Sequence, residues 1–366
     1  MGEAAAAPAD RRSGRRRIQA EAPMFAALDL GTNNCRLLIA TPTARGFRIV
    51  DAFSRIVRLG EGVSESGSLS ESAMERAIGA LTICADKIAR RGASRVKAVA
   101  TQACRASANG GEFIARVADR TGLRLQIISS LEEAQLSVAG CLDLLDRQSR
   151  AALVLDVGGG STELSWVDLT GPGLEVEPRK LAHWRLPIGA SLSIPIGVVT
   201  LAEQFPQGVA RDVANYRAMV ETIKARIVAF TEADHFRSVF QAGDAHLVGT
   251  SGAITSLAGL HLRLPRYDRS RVDGLWMTRE ECEVVAERLV ELSVSERAAQ
   301  PCIGPDRADL VLAGAAILQA VQETWCCERV RVADRGLREG LLLSLMSDQR
   351  RGDPRGRRRR YGASAP

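Results

Sequence analysis

Apolar runs of strand length, each ending at a glycine-containing turn, recur along the chain. The run MFAALDL (24–30) is followed by the turn GTNN and by a second apolar run, CRLLIATP (35–42). The segment 46–62 alternates apolar and polar positions well enough to predict one or two further strands. This order predicts a sheet that begins with antiparallel neighbours.

The next segments alternate between helical and strand patterns. Apolar positions in 69–92 recur at helical spacing, with Ser70 as the predicted N-cap and Gly92 as the predicted end. The patterns that follow predict a strand and turn (96–107), a helix (111–122), a strand (123–130) and a helix (131–145). The polar connector DRQSR (146–150) then ends this first module.

The pattern restarts after the connector. The segment 151–168 contains a strand, the turn VGGGST and a second strand. Later patterns predict a helical stretch (200–205 and 213–233), a strand, turn and helix (245–262), two helices (278–292 and 308–325) and a strand, turn and helix (329–346). A strand–Asp–x–Gly–turn unit therefore occurs at Asp29 and again at Asp156. Either the chain contains two duplicated α/β modules around a cleft, or this short pattern has recurred by chance.

Composition agrees with a soluble α/β protein. Of the 366 residues, 46% are apolar and only 4% are aromatic, and the length allows two or three domains. No stretch approaches the roughly 18 uninterrupted apolar residues of a membrane span, and no apolar run typical of a signal peptide follows the arginines of 1–22. The eight cysteines lack metal-site spacing, which favours reduced thiols and a cytoplasmic location.

The net charge of +6 belongs to the two ends of the chain. Residues 1–22 carry +2 and residues 347–366 carry +5, which leaves −1 for the segment between them. We therefore expect a disordered basic arm (1–23) and a disordered arginine-rich tail (347–366). Either these tails contact a polyanion such as nucleic acid, polyphosphate or anionic lipid, or they are solvated segments that aid solubility.

The turn of the second module has the composition of a phosphate site. Consecutive glycines let backbone N–H groups approach a ligand without interference from a Cβ atom, and such groups form an anion-binding nest. Ser161 and Thr162 add hydroxyl donors, while Asp156 can hold a divalent cation with help from Glu163. The combination predicts phosphate together with Mg²⁺. The alternative is a tight hairpin turn with no ligand.

Two other turns follow the same logic. In the first, Asp29 is a candidate for metal, and Gly31, Thr32 and Asn33 can donate to phosphate. The third, 249–252, can wrap a phosphate or a nucleotide, or can serve close packing of a strand on a helix. None of the three turns is a Walker A loop or a Rossmann fingerprint.

Carboxylates and arginines near strand ends complete the candidate chemistry. Glu132 and Glu133 open a helix, where acids are expected from the helix dipole alone. A carboxylate that faces a phosphate site can also orient and deprotonate water, and only one of two adjacent helical residues faces a given direction. Arg105, Arg307 and Arg338 are candidates for phosphate binding.

The motifs stand in an order typical of one family: ALDLGTNNCRLLIA, ATQACRAS, LEEAQL, LVLDVGGGSTELS, GTSGAITSLAG, DRADLVLAGAAIL and DRGLREG. Over 24–346 the sequence resembles the exopolyphosphatase/guanosine pentaphosphate phosphatase (Ppx/GppA) family. The resemblance implies an α/β fold of two duplicated actin-like, sugar-kinase-like (ribonuclease H-like) ATPase domains with an interdomain cleft. It also implies a homodimer that uses Mg²⁺, or Mn²⁺, to remove terminal phosphate from inorganic polyphosphate or the 5′ γ-phosphate from guanosine pentaphosphate. Its ligands would be polyphosphate or guanosine penta- and tetraphosphate.

The resemblance assigns roles to individual residues. Glu133 matches the family's catalytic glutamate, and Asp156 matches its metal-binding aspartate, beside the further candidates Glu163 and Asp29. The phosphate-binding set combines these matches with the turn argument: Gly31, Thr32, Asn33, Arg105, Gly158, Gly159, Gly160, Ser161 and Arg307.

Three features depart from the family pattern. The first turn is GTNN where the family usually has GSNS, so an amide replaces a hydroxyl at Asn34. SSL, not Ser-Gly, precedes Glu132, and no helical extension with an HD-type metal motif follows Met346. The chain therefore resembles the short, two-domain form of the family.

We predict a first phosphate-binding domain over 24–145 and a second domain over 151–346. The leading function is a phosphoanhydride hydrolase. Two alternatives stay open. One is an ATP-dependent kinase of the same fold, for which GTSGAITSLAG is the nucleotide-binding candidate. The other is a non-catalytic polyphosphate or nucleotide sensor.

Overall fold

The computed structural model describes residues 23–44, 46–170, 188–206, 212–228 and 233–352. Two mixed β-sheets organise this part of the chain. The basic arm predicted over 1–23 lies outside the described residues except for Pro23, and so does the tail from 353 onward.

The first sheet has the strand order β3-β2-β1-β4-β5. Strands β1, β2 and β3 form an antiparallel meander, as predicted, and β4 and β5 continue parallel to β1. The strands are β1 (Phe25–Leu30), β2 (Asn34–Thr43), β3 (Gly46–Ile56), β4 (Arg95–Ala100) and β5 (Leu125–Ile127).

The second sheet repeats this arrangement. Its order is β10-β11-β9-β6-β7-β8, in which β6, β7 and β8 form the meander, β9 and β11 run parallel to β6, and β10 is an added antiparallel edge. The strands are β6 (Ala151–Val157), β7 (Thr162–Asp168), β8 (Ile188–Ile194), β9 (Ala245–Thr250), β10 (Trp276–Thr278) and β11 (Arg329–Ala333). The two halves are therefore duplicated, and the predicted α/β fold of two ribonuclease H-like domains is confirmed.

Helices cover both sheets. They are α1 (Val63–Ser66), α2 (Glu71–Arg90), α3 (Gln102–Ala106), α4 (Gly110–Thr121), α5 (Ser130–Cys141), α6 (Val198–Gln204), α7 (Val213–Val228), α8 (Ala233–Gln241), α9 (Gly252–His261), α10 (Arg269–Val272), α11 (Arg279–Glu291), α12 (Val294–Ala298), α13 (Val311–Trp325) and α14 (Leu337–Gly352). Ser70 caps α2 as predicted, because its side chain accepts a hydrogen bond from the backbone N–H of Ala73.

The central strands β1 and β6 are buried on both faces, which explains their continuous apolar runs. In each strand one residue is only partly buried, and in each it is the aspartate before the turn, Asp29 or Asp156. The two predicted aspartates therefore occupy equivalent positions near the ends of the two central strands.

The last helix returns to the first half of the molecule. Leu341, Leu342 and Met346 of α14 pack with Phe25 of β1 and Leu136 of α5 in one buried cluster. The predicted second domain, 151–346, thus ends in a helix that contributes to the core of the first. Residues 347–352, which the sequence analysis places in the tail, continue this helix.

Some local predictions differ from the structure. The turn predicted within 96–107 contains the short helix α3, and the helical stretch predicted from 200 onward is divided between α6 and α7. Strands β8 and β10 were not predicted. Both are edge strands with few buried residues, so no continuous apolar run marks them in the sequence.

Candidate active site

The first turn, 31–33, and the second turn, 158–161, close in the same way. The N–H of Gly31 donates to the carbonyl of Asn34 at 2.8 Å, and the N–H of Gly158 donates to the carbonyl of Ser161 at 2.9 Å. Because β1 and β6 hold equivalent places in the two sheets, the duplicated units are also equivalent in hydrogen bonding. Both turns line one cavity of about 440 Å³ between the two sheets.

The glycines of the second turn are needed for close approach. None of them has a left-handed φ angle. A Cβ atom at Gly159 would lie 3.1 Å from the backbone nitrogen of Asn33, and one at Gly160 would lie 2.6 Å from Oγ1 of Thr32. The second turn therefore packs directly on the first, and side chains at these positions would push the two turns apart.

The first turn is supported from behind by the segment after β3. The carbonyl of Asn33 accepts from the N–H of Val57 at 2.8 Å, and the carbonyl of Thr32 accepts from the N–H of Gly60 at 2.9 Å. In contrast, Oγ1 of Thr32 and Oδ1 of Asn33 and Asn34 are buried without a hydrogen-bond partner among the described residues. Buried polar atoms of this kind are normally satisfied, which indicates a polar ligand at this turn.

Glu133 lies at the cavity in the first turn of α5. Ser129 caps this helix by accepting from the N–H of Glu132. Glu133 is buried and lines the cavity, whereas Glu132 is partly exposed and forms an ion pair with Lys97 at 3.6 Å. The prediction that only one of these two glutamates faces the site is therefore confirmed.

Arg105 holds the carboxylate of Glu133. Its Nη1 donates to Oε2 of Glu133 at 3.1 Å and to the carbonyl of Ile128 at 2.7 Å, while Nε and Nη2 donate to Oε1 of Gln102 at 3.1 and 2.7 Å. Burial raises the pKa of Glu133 well above its ordinary value, the nearby Glu163 raises it further, and Arg105 partly opposes them.

Three further carboxylates surround Glu133. Burial is the main cause that raises the pKa of Asp29 to about 6 and that of Glu163 to about 7, and it also raises the pKa of Asp156. Ser137 of α5 donates a hydrogen bond to Oδ2 of Asp156, and the hydroxyl of Ser193 donates to Oε1 of Glu163 at 3.1 Å.

The chemistry of this set suits a hard divalent cation. Oδ1 of Asp29 and Oε2 of Glu163 are buried without a hydrogen-bond partner in the described part of the chain, and carboxylate oxygens are the ligands that Mg²⁺ prefers. The same part of the chain forms no group of three or more His, Cys, Asp or Glu side chains that could hold a metal by itself. A cation here would therefore share its oxygen ligands with substrate and water.

Guanidinium groups of Arg36, Arg307 and Arg338 also line the cavity. A Cβ atom at Gly252, in the third turn, would lie 3.3 Å from Nη2 of Arg36 and 3.8 Å from Cζ of Arg307. Arg338 also lines the cavity, and burial and repulsion from Arg36 lower its pKa. Ser251, in the same turn, adopts a φ of 123°, which is strained for a residue other than glycine.

The structure brings most of the predicted site residues to this one cavity. The predicted residues that line it are Asp29, Gly31, Thr32, Asn33, Glu133, Asp156, Gly158, Gly159, Gly160, Ser161 and Arg307. Three predicted residues do not line it, and the first of them, Thr162, donates its hydroxyl hydrogen to the carbonyl of Ile196 at 2.8 Å. Arg105 contacts Glu133 instead. Glu163 is buried behind the cavity wall, where it is paired across the strands with Asp156. The roles of all these residues stay predictions.

Sequence reasoning missed several residues at the site. Arg36 sits inside β2, where alternation alone cannot tell which face meets the cavity. Ser137 and Ser193 contact the carboxylates from distant elements, and Gln102 holds Arg105. Helical spacing offered one usable signal, because Ser137 follows Glu133 by one turn and therefore shares its face.

Comparison with known proteins identifies the family to which this chain belongs. Residues 38–349 match the model of the Ppx/GppA phosphatase family. The chain belongs to the Ppx/GppA phosphatase family. Exopolyphosphatase 2 of Mycobacterium tuberculosis is 30% identical over 336 residues, which cover 87% of this chain and 98% of that protein. The guanosine-5′-triphosphate,3′-diphosphate pyrophosphatase of Photobacterium profundum is 28% identical over 335 residues, which cover 92% of this chain and 62% of that protein.

Solved structures of the Ppx/GppA family agree. The Aquifex aeolicus family member superposes with a TM-score of 0.70 at 28% identity and covers 89% of this chain and 98% of its own. An exopolyphosphatase from Cytophaga hutchinsonii, at 21% identity and a TM-score of 0.76 over 89% of this chain and 98% of its own, shares the fold.

Membership in the Ppx/GppA family confirms the prediction of an enzyme that hydrolyses acid anhydrides. The kinase and the non-catalytic sensor, which the sequence left open, gain no support from these relatives. No helix among the described residues is long and apolar enough to cross a membrane. The homodimer, the cytoplasmic location and polyanion contacts by the tails stay predictions.

Proposed function

We propose that the chain is a Mg²⁺-dependent hydrolase that releases terminal phosphate from inorganic polyphosphate, or the 5′ γ-phosphate from guanosine pentaphosphate. The observation that carries the proposal is the placement of Glu133, a buried carboxylate that faces a cavity lined by both glycine turns. The names of the curated relatives support the two substrate classes.

The terminal phosphoryl group would lie between the two turns. Backbone N–H groups of residues 32–33 and 159–161 and the hydroxyl of Thr32 are donors that can surround its oxygens, since the N–H groups of Gly31 and Gly158 already close the turns. Arg36 and Arg307, which line the same cavity, add positive charge. Donors fixed by the fold stabilise the charge of a transferring phosphoryl group without reorganising during the reaction.

Glu133 would orient the attacking water and accept its proton. Burial raises the pKa of Glu133, which makes its carboxylate a stronger base toward the proton of the attacking water. The ion pair with Arg105 keeps the carboxylate pointed in one direction. Because Gln102 and the carbonyl of Ile128 hold Arg105 in turn, the base is positioned by α3 and by the segment between β5 and α5.

Asp156 would hold the cation, with Glu163 and Asp29 as the neighbouring carboxylates. When bound, Mg²⁺ supplies neutralisation of the charge that develops on the transferred phosphoryl group. Ser137 would keep one oxygen of Asp156 occupied and so leave the other for the cation.

The proposal is tested by phosphate release from tripolyphosphate, long-chain polyphosphate and guanosine pentaphosphate, each with Mg²⁺ and with EDTA. We expect release from at least one substrate that is lost in EDTA and restored by Mg²⁺. Tight binding without release would support the sensor. Formation of ADP from ATP only when a phosphate acceptor is added would support the kinase.

A further inference from the structure

The segment 57–64, which follows β3, contacts both halves of the molecule. It lies directly behind the first turn, where the N–H of Arg58 donates to the carbonyl of Asn33 at 3.1 Å. The N–H of Gly60 donates to the carbonyl of Thr32 at 2.9 Å. We call 57–64 the bridging segment, because its side chains and its remaining backbone groups reach the second half.

Arg58 connects the bridging segment to the turn that carries Arg307. Its Nη1 and Nη2 donate to the two carboxylate oxygens of Asp309 at 2.9 and 3.2 Å, and Nη2 also donates to the carbonyl of Asp306 at 3.5 Å. These two acidic residues stand on either side of Arg307 in the chain, and Arg307 lines the active-site cavity. The side chain of Arg58 therefore holds the backbone on both sides of an active-site arginine.

Glu203 connects the bridging segment to the second turn. Its Oε1 accepts from the N–H of Gly62 at 3.0 Å, and its Oε2 accepts from the hydroxyl of Ser64 at 2.8 Å. Glu203 lies in α6, and the first residue of this helix, Val198, donates its N–H to the carbonyl of Gly158 at 3.0 Å. The bridging segment is thus joined to the second turn through one short helix.

The conformation of Arg58 indicates that its side chain has a role. Its φ angle of 46° lies in the left-handed region, which is unfavourable for a residue that has a Cβ atom and which glycine adopts freely. The side chains of Arg58 and Asp309 are 37% and 36% exposed, and an ion pair this exposed contributes little to stability. The pair therefore matters for the geometry of the two halves more than for the free energy of folding.

We propose that Arg58 and Glu203 are positioning residues, which align the first turn with Arg307 and with the second turn. This inference rests on the proposed function. Neither side chain lines the active-site cavity, so each acts through the groups that it holds. A transferring phosphoryl group is stabilised by donors that surround it at the same time, and a small displacement of one half would lower the rate strongly.

The test measures tripolyphosphate hydrolysis by Arg58→Gln, by Asp309→Asn and by the double variant, with Arg120→Gln as the matched control. Arg120 pairs with Glu75 at 2.6 Å within the first half, and these side chains are 44% and 42% exposed. For each single variant of the Arg58–Asp309 pair we expect kcat to fall about 10-fold with little change in KM, since substrate still meets each turn but the halves are no longer aligned. The double variant should lose no more than the single variants do, and Arg120→Gln should match the wild type.

Glu203→Gln tests the second contact of the bridging segment. The amide keeps one acceptor oxygen, so we expect a smaller fall in kcat, of about threefold, again with little change in KM. A kcat equal to that of the wild type would remove Glu203 from the positioning role.

Three outcomes would overturn the role of Arg58. They are a kcat of Arg58→Gln near that of the wild type, an equal loss in Arg120→Gln, and losses that multiply in the double variant. A fall in kcat that is matched by loss of folded protein, measured by circular dichroism at the assay temperature, would also overturn it.

Hydrogen exchange separates this proposal from the hydrolase itself. If the wild type releases no phosphate, the hydrolase is contradicted, but the bridging contacts are still measurable. We expect the backbone amides of 31–34 and 304–311 to exchange faster in Arg58→Gln than in the wild type, and at an unchanged rate in Arg120→Gln. Exchange in Arg58→Gln equal to that of the wild type in both ranges would contradict the alignment of the halves by Arg58.

Discussion

The two halves of the molecule repeat one strand–turn–strand unit but place opposite charges across from its aspartate. In the first half Asp29 is paired across the strands with Arg36, and in the second half Asp156 is paired with Glu163. Arg36 lowers the pKa of Asp29 against the effect of burial, whereas Asp156 adds to burial in raising the pKa of Glu163.

This difference shows how a duplicated fold can place different charges beside its two aspartates. The backbone of both halves supplies the same turn at the same place. One cross-strand position then places an arginine, which suits phosphate, beside Asp29 and a second carboxylate, which suits a metal ion, beside Asp156. The two units therefore differ in the side chain opposite their aspartate and not in the turn that follows it.

The largest expected effect separates the two aspartates. Asp156→Asn should lower Mg²⁺-dependent phosphate release about 100-fold, since a metal-binding carboxylate is lost where no arginine is paired across from it. Asp29→Asn should lower release about 10-fold, because Arg36 already offsets part of its charge. Titration of Mg²⁺ against the rate measures both variants.

The comparison would be sharpened if Asp156→Asn needed a higher Mg²⁺ concentration for half-maximal release while Asp29→Asn needed the same concentration as the wild type. Equal Mg²⁺ requirements in the two variants would break it, since the halves would then share the cation. Thermal unfolding of both variants serves as the control for a general loss of structure.

A smaller effect is expected on stability when a glycine of each turn is replaced by alanine. Gly160→Ala should destabilise the protein by about 1–3 kcal/mol, because its Cβ atom would meet Thr32 of the first turn at 2.6 Å. Gly31→Ala should cost less than about 1 kcal/mol, since its nearest contact would be an ordinary 3.5 Å to the carbonyl of Asn34. Urea unfolding measures the difference. Equal destabilisation would show that the turns do not pack as closely as the structure indicates.

The smallest effect is the pH dependence of stability without metal. Asp29 and Glu163 have pKa values of about 6 and about 7 in the folded protein, above their ordinary values, so there the folded state binds more protons than the unfolded state. The free energy of unfolding should therefore fall as pH rises from about 4, the ordinary pKa of such carboxyl groups, to these values.

Two variants assign this pH dependence to the halves. Asp29→Asn should remove the part that ends near pH 6, and Glu163→Gln the part that ends near pH 7. Urea unfolding at a series of pH values in EDTA resolves them. If the two variants lost the same part of the pH dependence, the effect of Arg36 on the pKa of Asp29 would be contradicted.

The sequence was sufficient to predict those features of the structure that a local pattern determines. Apolar runs that stop at Asp29 and Asp156 predicted both central strands, because strands buried on both faces are continuously apolar. Helical geometry likewise predicted that one glutamate of the 132–133 pair faces the site. These features depend on neighbours within a few residues.

Features that depend on distant packing could not be predicted in this way. The reason for glycine at 159 and 160 is the first turn, which is remote in sequence, and not the conformation of their own backbone. The return of α14 to the first sheet, the contact of Ser137 with Asp156 and the pairing of Arg105 with Glu133 likewise join elements far apart in the chain.

The central claim is that Glu133 carries out the chemistry in a phosphate site formed by both halves. The most direct measurement compares Glu133→Gln with its neighbour Glu132→Gln for polyphosphate binding and for phosphate release. We expect Glu133→Gln to bind as the wild type does and to lose release by at least about 100-fold. Glu132→Gln, altered on the other face of the same helical turn, should retain both. Release by Glu133→Gln at a rate near that of the wild type would contradict the account.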